Sequence, residues 1–543
     1  MLMLTLLISI SFLLMSMNML FNNMFIYITL NLLKPLLIQI PISFILDWIS
    51  CMFMSTVMMI SSMILMFSCY YIPKNEHKQF SMMLIMFVLS MSILILSNNL
   101  FMMLLGWDML GMSSYILVIF YQNHSSSGSG SITLLSNRIG DVFILLSISI
   151  MMSQSMWELN MNEKFNTLTL LMLLTAACTK SAQFPFSAWL PMAMSAPTPI
   201  SALVHSSTLV TAGIFLMIRI SSNTHPIMFT LLMMTSSFTA IYASMSANWE
   251  QDMKKIIALS TLSQMAMMMF AISIKSIYLA YFHMIIHAFF KSLMFMCAGI
   301  MIHESSYQDM RMMSMNNKNM PLITNTLGIT NAALMGLPFT SGFFSKDMII
   351  EKLISSKLEC ILTLTMIMSV GMTASYSLRM MLLSNKMFIK TKTNPNNHSN
   401  ILSNMPIILM SPMGIIMGTS MLWTLNPTQS FITPNNLKMM ILLLLMMGIT
   451  LGIMLSFKSL KYKSMGMAGI SLWFIHLIST KIMILFTPLM NYHFLNDKNW
   501  QEMYGPQKLY LKTKNLSLIP EITKLSPLML IVLISIIPML LYY

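Results

Sequence analysis

The chain has 543 residues, of which 56% are hydrophobic and only 8% are charged, and its mean hydropathy is +0.74. A water-soluble domain carries about 25% charged residues, so this composition excludes an ordinary soluble fold. The net charge of +14 arises from lysines that are spread over connecting segments and the C-terminal quarter. Because those lysines do not cluster with aromatic residues on a polar module, the sequence predicts no nucleic-acid partner.

Apolar segments of about twenty residues recur along the chain, and each is long enough to cross the membrane as a helix. The sequence therefore predicts an all-α polytopic membrane protein with about fifteen transmembrane helices. β-Strands are not expected, because the apolar runs do not alternate with period two. The predicted spans lie near residues 2–21, 43–71, 80–97, 98–121, 131–153, 167–190, 196–220, 226–246, 255–273, 277–303, 321–350, 360–385, 401–424, 437–458 and 527–543.

The predicted spans fall into segments that differ in composition and in the residues they carry. Lys180 lies on one interrupted span and Lys346 on another, five spans later, which indicates two five-helix repeats. An odd number of helices per repeat makes the second repeat inverted relative to the first. The predicted segments are N-terminal helices at 1–79, repeats at 80–220 and 221–385, additional helices at 386–458, a lateral amphipathic segment at 459–526 and an anchoring helix at 527–543.

The segment 459–526 has two interpretations. Its lysines are interleaved with apolar stretches, which is typical of a helix that lies along a membrane. The stretch near 467–489 is also long enough to cross the membrane, but His476 and Lys481 would then lie in hydrocarbon without an evident partner. We therefore expect this segment to lie flat.

Ionisable residues inside apolar spans are the strongest indicators of function, because burying each one is costly. Asp108 lies in GWDMLG in the fourth span, and Arg138 and Asp141 lie in SNRIGD in the fifth. The others lie in or beside TKSAQFPFSAWLP, PTPISALVH, DMKK, HMIIHAFFK and GLPFTSGFFSKD: Lys180, His205, Lys254, His283, His287, Lys291, Lys346 and Asp347. Four-residue spacings place His283, His287 and Lys291 on one helical face.

This pattern is suited to proton transfer through a membrane. A lysine and a carboxylate whose separation varies can act as a proton switch, because each changes the proton affinity of the other. Pro185 and Pro191 predict a break beside Lys180, and Pro338 and Gly342 predict one beside Lys346. Unwound backbone is tolerated inside a membrane only where it is buried in protein or lines a cavity.

Several of these residues also have a purely structural explanation. His205 is compatible with a hydrogen-bonded packing residue, and Lys254 could extend its amine to the membrane surface. Arg138 and Asp141 are spaced as a simple i,i+3 ion pair. Lys180, Lys291 and Lys346 lie deeper in apolar sequence, where such explanations are weaker.

The cysteines give no sign of a cofactor. Five are present, no two have CxxC spacing, and no cysteine–histidine group has the pattern of a zinc, haem or iron–sulfur site. The glycine-rich dinucleotide and P-loop motifs are also absent from the sequence. We expect no cofactor or metal on this chain.

The motifs GWDMLGMSSY, LSNRIGD, TKSAQFPFSAWLP, KKIIALSTLSQ, HAFFKSLMFMCAG and GLPFTSGFFSKD occur in this order over roughly residues 45–385. In this respect the chain resembles the subunit 5 family of mitochondrial NADH dehydrogenase. The resemblance implies that Asp108, Lys180, His205, His287, Lys291 and Lys346 form a proton channel. It further implies that Lys254 and His283 belong to a polar axis, and that Arg138 and Asp141 belong to a conducting or subunit-coupling site.

The resemblance also implies partners and a location. These are the other membrane-arm subunits of respiratory complex I, especially neighbouring antiporter-like subunits along the lateral helix, with lipids such as cardiolipin, in the mitochondrial inner membrane. FMN, iron–sulfur clusters and ubiquinone are expected in other parts of the complex. The sequence departs from the family at Asp108, where many members have Glu, and in having one N-terminal span fewer than the sixteen expected.

The resemblance predicts an antiporter-like subunit that translocates protons, driven by electron transfer from NADH to ubiquinone in other subunits. Asp108 and Lys180 would form its switch, and His205, Lys291 and Lys346 would relay the proton. Two alternatives are a free-standing cation/proton antiporter and a structural membrane subunit without an ion path. The lateral tail argues against the first, and the three buried lysines argue against the second.

Overall fold

The computed structural model describes residues 2–31, 41–153, 158–159, 166–221, 225–313, 320–355, 360–385, 401–425, 435–457, 463–473, 475–517 and 534. Twelve helices in this part of the chain are long and apolar enough to cross a membrane. The predicted helical membrane fold is therefore confirmed. The predicted last span, near 527–543, lies outside the described residues apart from Ile534.

The first part of the chain contains one hairpin and the helices that lead to the first break. Its elements are α1 (Leu2–Asn22), β1 (Ile26–Asn31), β2 (Pro41–Leu46), α2 (Trp48–Tyr71), α3 (His77–Leu96), α4 (Leu100–Val118), α5 (His124–Ser153), α6 (Thr167–Lys180), α7 (Trp189–Met192), α8 (Thr198–Ile200), a π-helical segment (Ser201–Thr208) and α9 (Leu209–Ile220).

The next part contains the second break and the outer helices. Its elements are α10 (Pro226–Trp249), α11 (Met253–Ser273), α12 (Ile277–Ser305), α13 (Pro321–Met335), α14 (Ser341–Ser355), α15 (Cys360–Asn385), α16 (Ile401–Met410), α17 (Met413–Leu425), α18 (Asn435–Phe457) and α19 (Lys463–Ile470).

The hairpin was not predicted. The strands β1 and β2 pair antiparallel, with Ile26 opposite Leu46 and Asn31 opposite Pro41. The predicted span near 43–71 consequently begins later, at Trp48. The amide of Asp47 donates to Ser50 Oγ at 2.8 Å, which caps the start of α2 and separates it from β2.

The two predicted breaks are present. The helix α6 ends at Lys180, ahead of Pro185, and the chain resumes helical structure at α7. The helix α13 ends at Met335 and α14 begins at Ser341. Gly336 has φ +81°, a left-handed conformation that glycine adopts readily, and its amide donates to Ala332 O at 3.1 Å to close α13.

Three spans form the centre of the bundle. All residues are buried in the most apolar stretch of each of these spans, which are the segment Thr198–Ile220, α11 and α12. In α1 and α18, by contrast, only 17% and 22% of the residues in that stretch are buried. The central spans are nevertheless rich in serine and threonine. Their hydroxyls commonly donate to carbonyls of the preceding turn, as Thr261 does to Ala258 O at 2.6 Å, so these polar groups are satisfied inside the bundle.

Residues 474–543 form a second unit. Within it, α20 (Ile475–Leu495), two π-helical segments (Asn496–Gln501 and Met503–Gln507) and α21 (Lys508–Ser517) follow one another. The helix α20 is not among the twelve candidate spans found in the described residues. The lateral orientation of this segment stays a prediction, and so do the segment boundaries drawn from the sequence.

Candidate proton-transfer site

Seven lysine and histidine side chains of the described residues lie inside the bundle, each with at most 4% of its surface exposed. They are Lys180, His205, Lys254, His283, His287, Lys291 and Lys346. Burial on this scale is costly for an ionisable group, which marks these residues as functional candidates. Lys180 lies at the first helix break, and His283, His287, Lys291 and Lys346 form a second cluster at and beside the second break, with His205 and Lys254 on the elements between.

Lys180 is the last residue of α6, and the break places its amine against α4. Its Nζ donates to Trp107 O at 2.6 Å and lies 4.3 Å from the centroid of the Trp107 ring. Trp189 holds the other side of the break, because its Nε1 donates to Thr179 O at 3.0 Å. The ammonium is thus fixed by a carbonyl dipole and an aromatic face.

Asp108 and Asp141 are joined by Arg138. The guanidinium lies 3.6 Å from Asp108 Oδ2 and 3.3 Å from Asp141 Oδ2. The i,i+3 pair considered from the sequence is therefore present, but Arg138 also reaches a second helix. Asp108 forms its ion pair with Arg138, and Lys180 contacts the backbone of the preceding residue, so the expected Asp108–Lys180 pair is not a direct contact in this structure.

A close helix approach brings these charges near Lys180. A Cβ atom on Gly140 would lie 2.2 Å from Thr179 Oγ1, so α5 can approach α6 this closely only with glycine at that position. Asp141 and Lys180 follow these two residues in the sequence. Both Asp141 and Asp108 consequently act electrostatically on Lys180, with Asp141 exerting the larger effect.

His205 occupies the π-helical segment. Its ring centroid lies 6.3 Å from that of Trp189, which also contacts the first break. Neither ring nitrogen has a hydrogen-bond partner among the described residues, so His205 is not the hydrogen-bonded packing residue of the structural explanation. π-Helical turns occur frequently at functional sites.

Lys254 lies in the first turn of α11 and points inward. Its Nζ donates to Ala196 O at 3.1 Å, in the irregular segment between α7 and α8. Only 4% of the residue is exposed. The alternative in which its amine extends to the membrane surface therefore does not describe this structure.

The second cluster lies between α11, α12 and α14. His283 forms hydrogen bonds through Nδ1 with Ser345 Oγ at 2.7 Å and through Nε2 with Gln264 Oε1 at 3.1 Å. One turn along, the His287 ring lies 6.2 Å from that of His283, and Lys291 Nζ donates to Ser260 Oγ. The single face predicted for His283, His287 and Lys291 is thus turned inward.

Lys346 stands at the second break, as predicted. Its Nζ donates to Leu334 O, which belongs to the last turn of α13. The carbonyl end of a helix carries partial negative charge and so favours an ammonium group. Asp347 follows on α14 and is half-buried, at the edge of a cavity described below.

Ser260, Gln264 and Ser345 were not identified from the sequence. Each forms a hydrogen bond with a titratable side chain of the second cluster. Ser260 and Gln264 are four residues apart, which places them on one face of α11. That spacing was a usable signal, but the many other serines in the spans obscure it.

No group of three or more His, Cys, Asp and Glu side chains within the described ranges is arranged to hold a metal ion. The groups that the structure does bring together are suited to holding and passing a proton. Lysine, histidine and carboxylate side chains all gain and lose protons, and hydroxyl and amide groups can link them.

Comparisons with known proteins identify the family and the fold of this chain. Residues 97–373 match the model of the NADH:quinone oxidoreductase/Mrp antiporter membrane family, and residues 376–543 match the C-terminal model of NADH dehydrogenase subunit 5. Among solved structures, the chain resembles one in the Mrp complex from Dietzia sp., with a TM-score of 0.71 and 22% identity over 88% of this chain and 57% of that one. It also resembles a chain of the archaeal membrane-bound sulfane sulfur reductase, with a TM-score of 0.68 and 19% identity over 84% of this chain and 92% of that one. These two likenesses concern the fold.

Curated relatives are more similar in sequence. NADH-ubiquinone oxidoreductase chain 5 of Anopheles quadrimaculatus is 41% identical, over 88% of this chain and 87% of the relative. The protein of the same name from Anopheles gambiae is 39% identical, over 94% of this chain and 92% of the relative. The chain therefore belongs to the NADH-ubiquinone oxidoreductase chain 5 family.

Proposed function

We propose that the seven buried lysine and histidine residues, together with the carboxylates beside Lys180, carry protons across the membrane. Family membership makes this chain an antiporter-like subunit of the proton-translocating NADH:ubiquinone oxidoreductase. The observation that supports the residue-level proposal is the pair of lysines at helix breaks, each fully or almost fully buried and each held by a backbone carbonyl.

The contacts suggest an order of transfer. In the first half, Asp141 and Asp108 set the field at Lys180, and Trp189 connects this break to His205. The π-helical segment packs against α12, which carries the second cluster. There Lys291 lies one turn along α12 from His287, and the His287 ring lies beside that of His283. His283 forms a hydrogen bond with Ser345, which precedes Lys346 in the sequence.

The carboxylate cluster favours a subunit of a larger assembly over a free-standing antiporter. Arg138 and Asp108 are 43% and 37% exposed on a surface that also bears Met109, Leu135 and Val142. Charges facing lipid at this depth would be costly, so another protein must cover them. We assign this cover to a neighbouring antiporter-like subunit of the membrane arm.

The remaining assignments follow from the proposed function. The location is the mitochondrial inner membrane, and the C-terminal segment lies along the neighbouring subunits with cardiolipin among the bound lipids. FMN, iron–sulfur clusters and ubiquinone bind to other parts of the complex, which supply the electron transfer. This chain carries the protons and no redox group.

The test is proton pumping per NADH oxidised in assembled complex that carries Lys291→Met, made at the matching position of an editable relative. Loss of the amine interrupts the second cluster, so we expect pumping to fall while assembly is retained. Lys275→Met is the control, because Lys275 is exposed and contacts the Phe229 ring outside the cluster. Full pumping by Lys291→Met would favour the structural alternative.

A further inference from the structure

A cavity of about 210 Å³ opens beside the second helix break. Lys346 and Asp347 line one side, Val370 of α15 lines another, and Lys438 belongs to the wall that α18 contributes. Lys346 is 2% exposed, so this cavity brings open space to an otherwise enclosed amine. An amine that lines a cavity can exchange a proton with water entering it.

An ion pair stands at this cavity. Lys438 Nζ lies 3.4 Å from Glu351 Oε1, and the two side chains are 49% and 12% exposed. Glu351 is four residues from the C-terminal end of α14, and Lys438 is three from the N-terminal end of α18. Both residues thus lie about one turn from an end of their helix, and the half-exposed side chain of Lys438 lies on the outer side of the cavity.

A second carboxylate connects this ion pair to Lys346. Asp347 and Glu351 are four residues apart and therefore neighbours on one face of α14. Asp347 lines the cavity and interacts electrostatically with both Glu351 and Lys438. The order along the helix is thus a buried amine, a half-buried carboxylate, and a carboxylate held by an ammonium group.

We propose that the Glu351–Lys438 ion pair is the outer gate between Lys346 and the aqueous phase, and that Glu351 is the last proton carrier. This inference rests on the proposed function of Lys346. The ammonium of Lys346 gives one proton to the Asp347 carboxylate, which leaves a neutral amine and a carboxylic acid. Asp347 passes that proton to Glu351 and returns to its carboxylate form.

Protonated Glu351 is neutral and no longer attracts Lys438, so the ammonium moves towards water and the cavity opens. Glu351 then releases its proton to water, and the carboxylate recovers its ion pair. These steps move one proton outward and leave Lys346 as a neutral amine. The second cluster, whose His283 is joined to Ser345 beside Lys346, then supplies a new proton to that amine, which restores every charge. Closure between cycles keeps external protons away from Lys346.

The gate is tested in resting complex, without NADH, so that its result is independent of pumping. A cysteine placed at Val370, which is 5% exposed and lines the cavity, reports access by its labelling rate with a small methanethiosulfonate reagent. Complex without the reporter corrects for native thiols. Lys438→Met removes the ion pair, and we expect labelling to become roughly two- to fivefold faster.

Lys255→Met is the matched control, because Lys255 is 44% exposed and forms a 2.8 Å ion pair with Asp252. Both residues lie at the start of α11, which does not contribute to the proposed gate. This control variant should leave the labelling rate unchanged. If Lys438→Met prevents assembly, Glu351→Gln removes the same pair from the other side and gives the same reading. Labelling that stays at the parental rate without the ion pair would overturn the gate.

The role of Glu351 as the last proton carrier is tested by measuring protons pumped per NADH oxidised. Glu351→Gln should reduce this ratio, whereas Glu351→Asp keeps a carboxylate and should retain most of it. A charge-reversed pair, Glu351→Lys with Lys438→Glu, should restore slow labelling but not pumping, because the carboxylate has left α14. Full pumping by Glu351→Gln would show that Glu351 is not a proton carrier. If Lys346→Ala loses pumping in the same experiment, the proposed proton path through Lys346 still stands.

Discussion

The two halves of the bundle place a lysine at a helix break and then surround it with different chemistry. Around Lys180 lie two carboxylates joined by Arg138, and part of this cluster is exposed at the bundle surface. On the inner side of Lys346 lie completely buried histidine and hydroxyl side chains, and on its other side a cavity that the half-buried Asp347 also lines. Among the described residues, no carboxylate forms an ion pair with Lys291 or Lys346.

This difference indicates a division of labour. Charges in the first half act on Lys180 through space, and a neighbouring subunit can alter them because they reach the surface. Hydrogen bonds in the second half join titratable groups to hydroxyl and amide side chains, namely His283 to Ser345 and Gln264 and Lys291 to Ser260, which suits relay over short steps. We propose that the same backbone arrangement, a broken helix with a buried lysine, serves as a switch in one half and as part of a relay in the other.

The largest effect is expected from adding a side chain where α13 and α14 approach each other at the second break. A Cβ atom on Gly342 would lie 1.9 Å from the carbonyl oxygen of Ala333, and neither backbone can move away freely. Gly342→Ala should therefore destabilise the fold by about 3 kcal/mol or more and reduce the amount of assembled complex. Gly111→Ala is the control, because nothing lies within 4 Å of its Cβ position. Normal assembly of Gly342→Ala would show that α13 and α14 do not approach this closely.

A second test removes the bridge that distinguishes the first half. Arg138→Leu leaves Asp108 and Asp141 without their shared cation, so the field at Lys180 changes sharply. We expect pumping per NADH to fall severalfold while the complex still assembles. Arg311→Leu, which breaks the exposed 2.7 Å pair with Asp309, should leave pumping unchanged. Equal effects of the two variants would contradict a special role for Arg138.

A smaller effect is expected from one hydrogen bond of the relay. Ser345→Ala removes the 2.7 Å contact with His283 Nδ1, and a net loss of about 1 kcal/mol would slow transfer about fivefold. Ser292→Ala is matched to it, because that buried hydroxyl donates only to Phe289 O within its own helix. The check is the turnover rate of coupled NADH oxidation. A rate that does not respond would remove Ser345 from the path.

The smallest effect is expected at Asp108, where the resemblance led us to expect glutamate in many members of the family. Asp108→Glu keeps the charge and lengthens the side chain by one methylene, which can shorten the 3.6 Å separation from Arg138. An exposed pair of this kind contributes about 1 kcal/mol at most, so pumping should remain within about fivefold of the parent. Loss of pumping would mean that the reach of this carboxylate, and not only its charge, is set for the switch.

The ionisable residues were predictable from the sequence because apolar surroundings make each one conspicuous. Lys180 and Lys346 lie beside prolines and glycines that also predicted the breaks. The hydrogen-bonding partners were not predictable in the same way. Ser260 and Gln264 resemble many other polar residues in the spans, and only packing reveals which of them face His283 and Lys291.

The β-hairpin and the ion-pair partners could not be predicted from the sequence for a related reason. The segment Ile26–Asn31 is apolar and short, and its pairing with Pro41–Leu46 depends on contacts outside either segment. Asp108 and Lys180 were expected to pair because their charges are opposite. The structure instead places Arg138 against Asp108, since α5 lies beside α4 and its guanidinium reaches across.

The most direct test of the central claim is proton pumping per NADH oxidised in assembled complex carrying Lys180→Ala. The side chain is completely buried, and the carboxylates of both α4 and α5 act on it electrostatically. We predict that pumping or coupled turnover falls while assembly persists. Pumping at full stoichiometry by the assembled variant would contradict the proton-path account and favour a structural role for this chain.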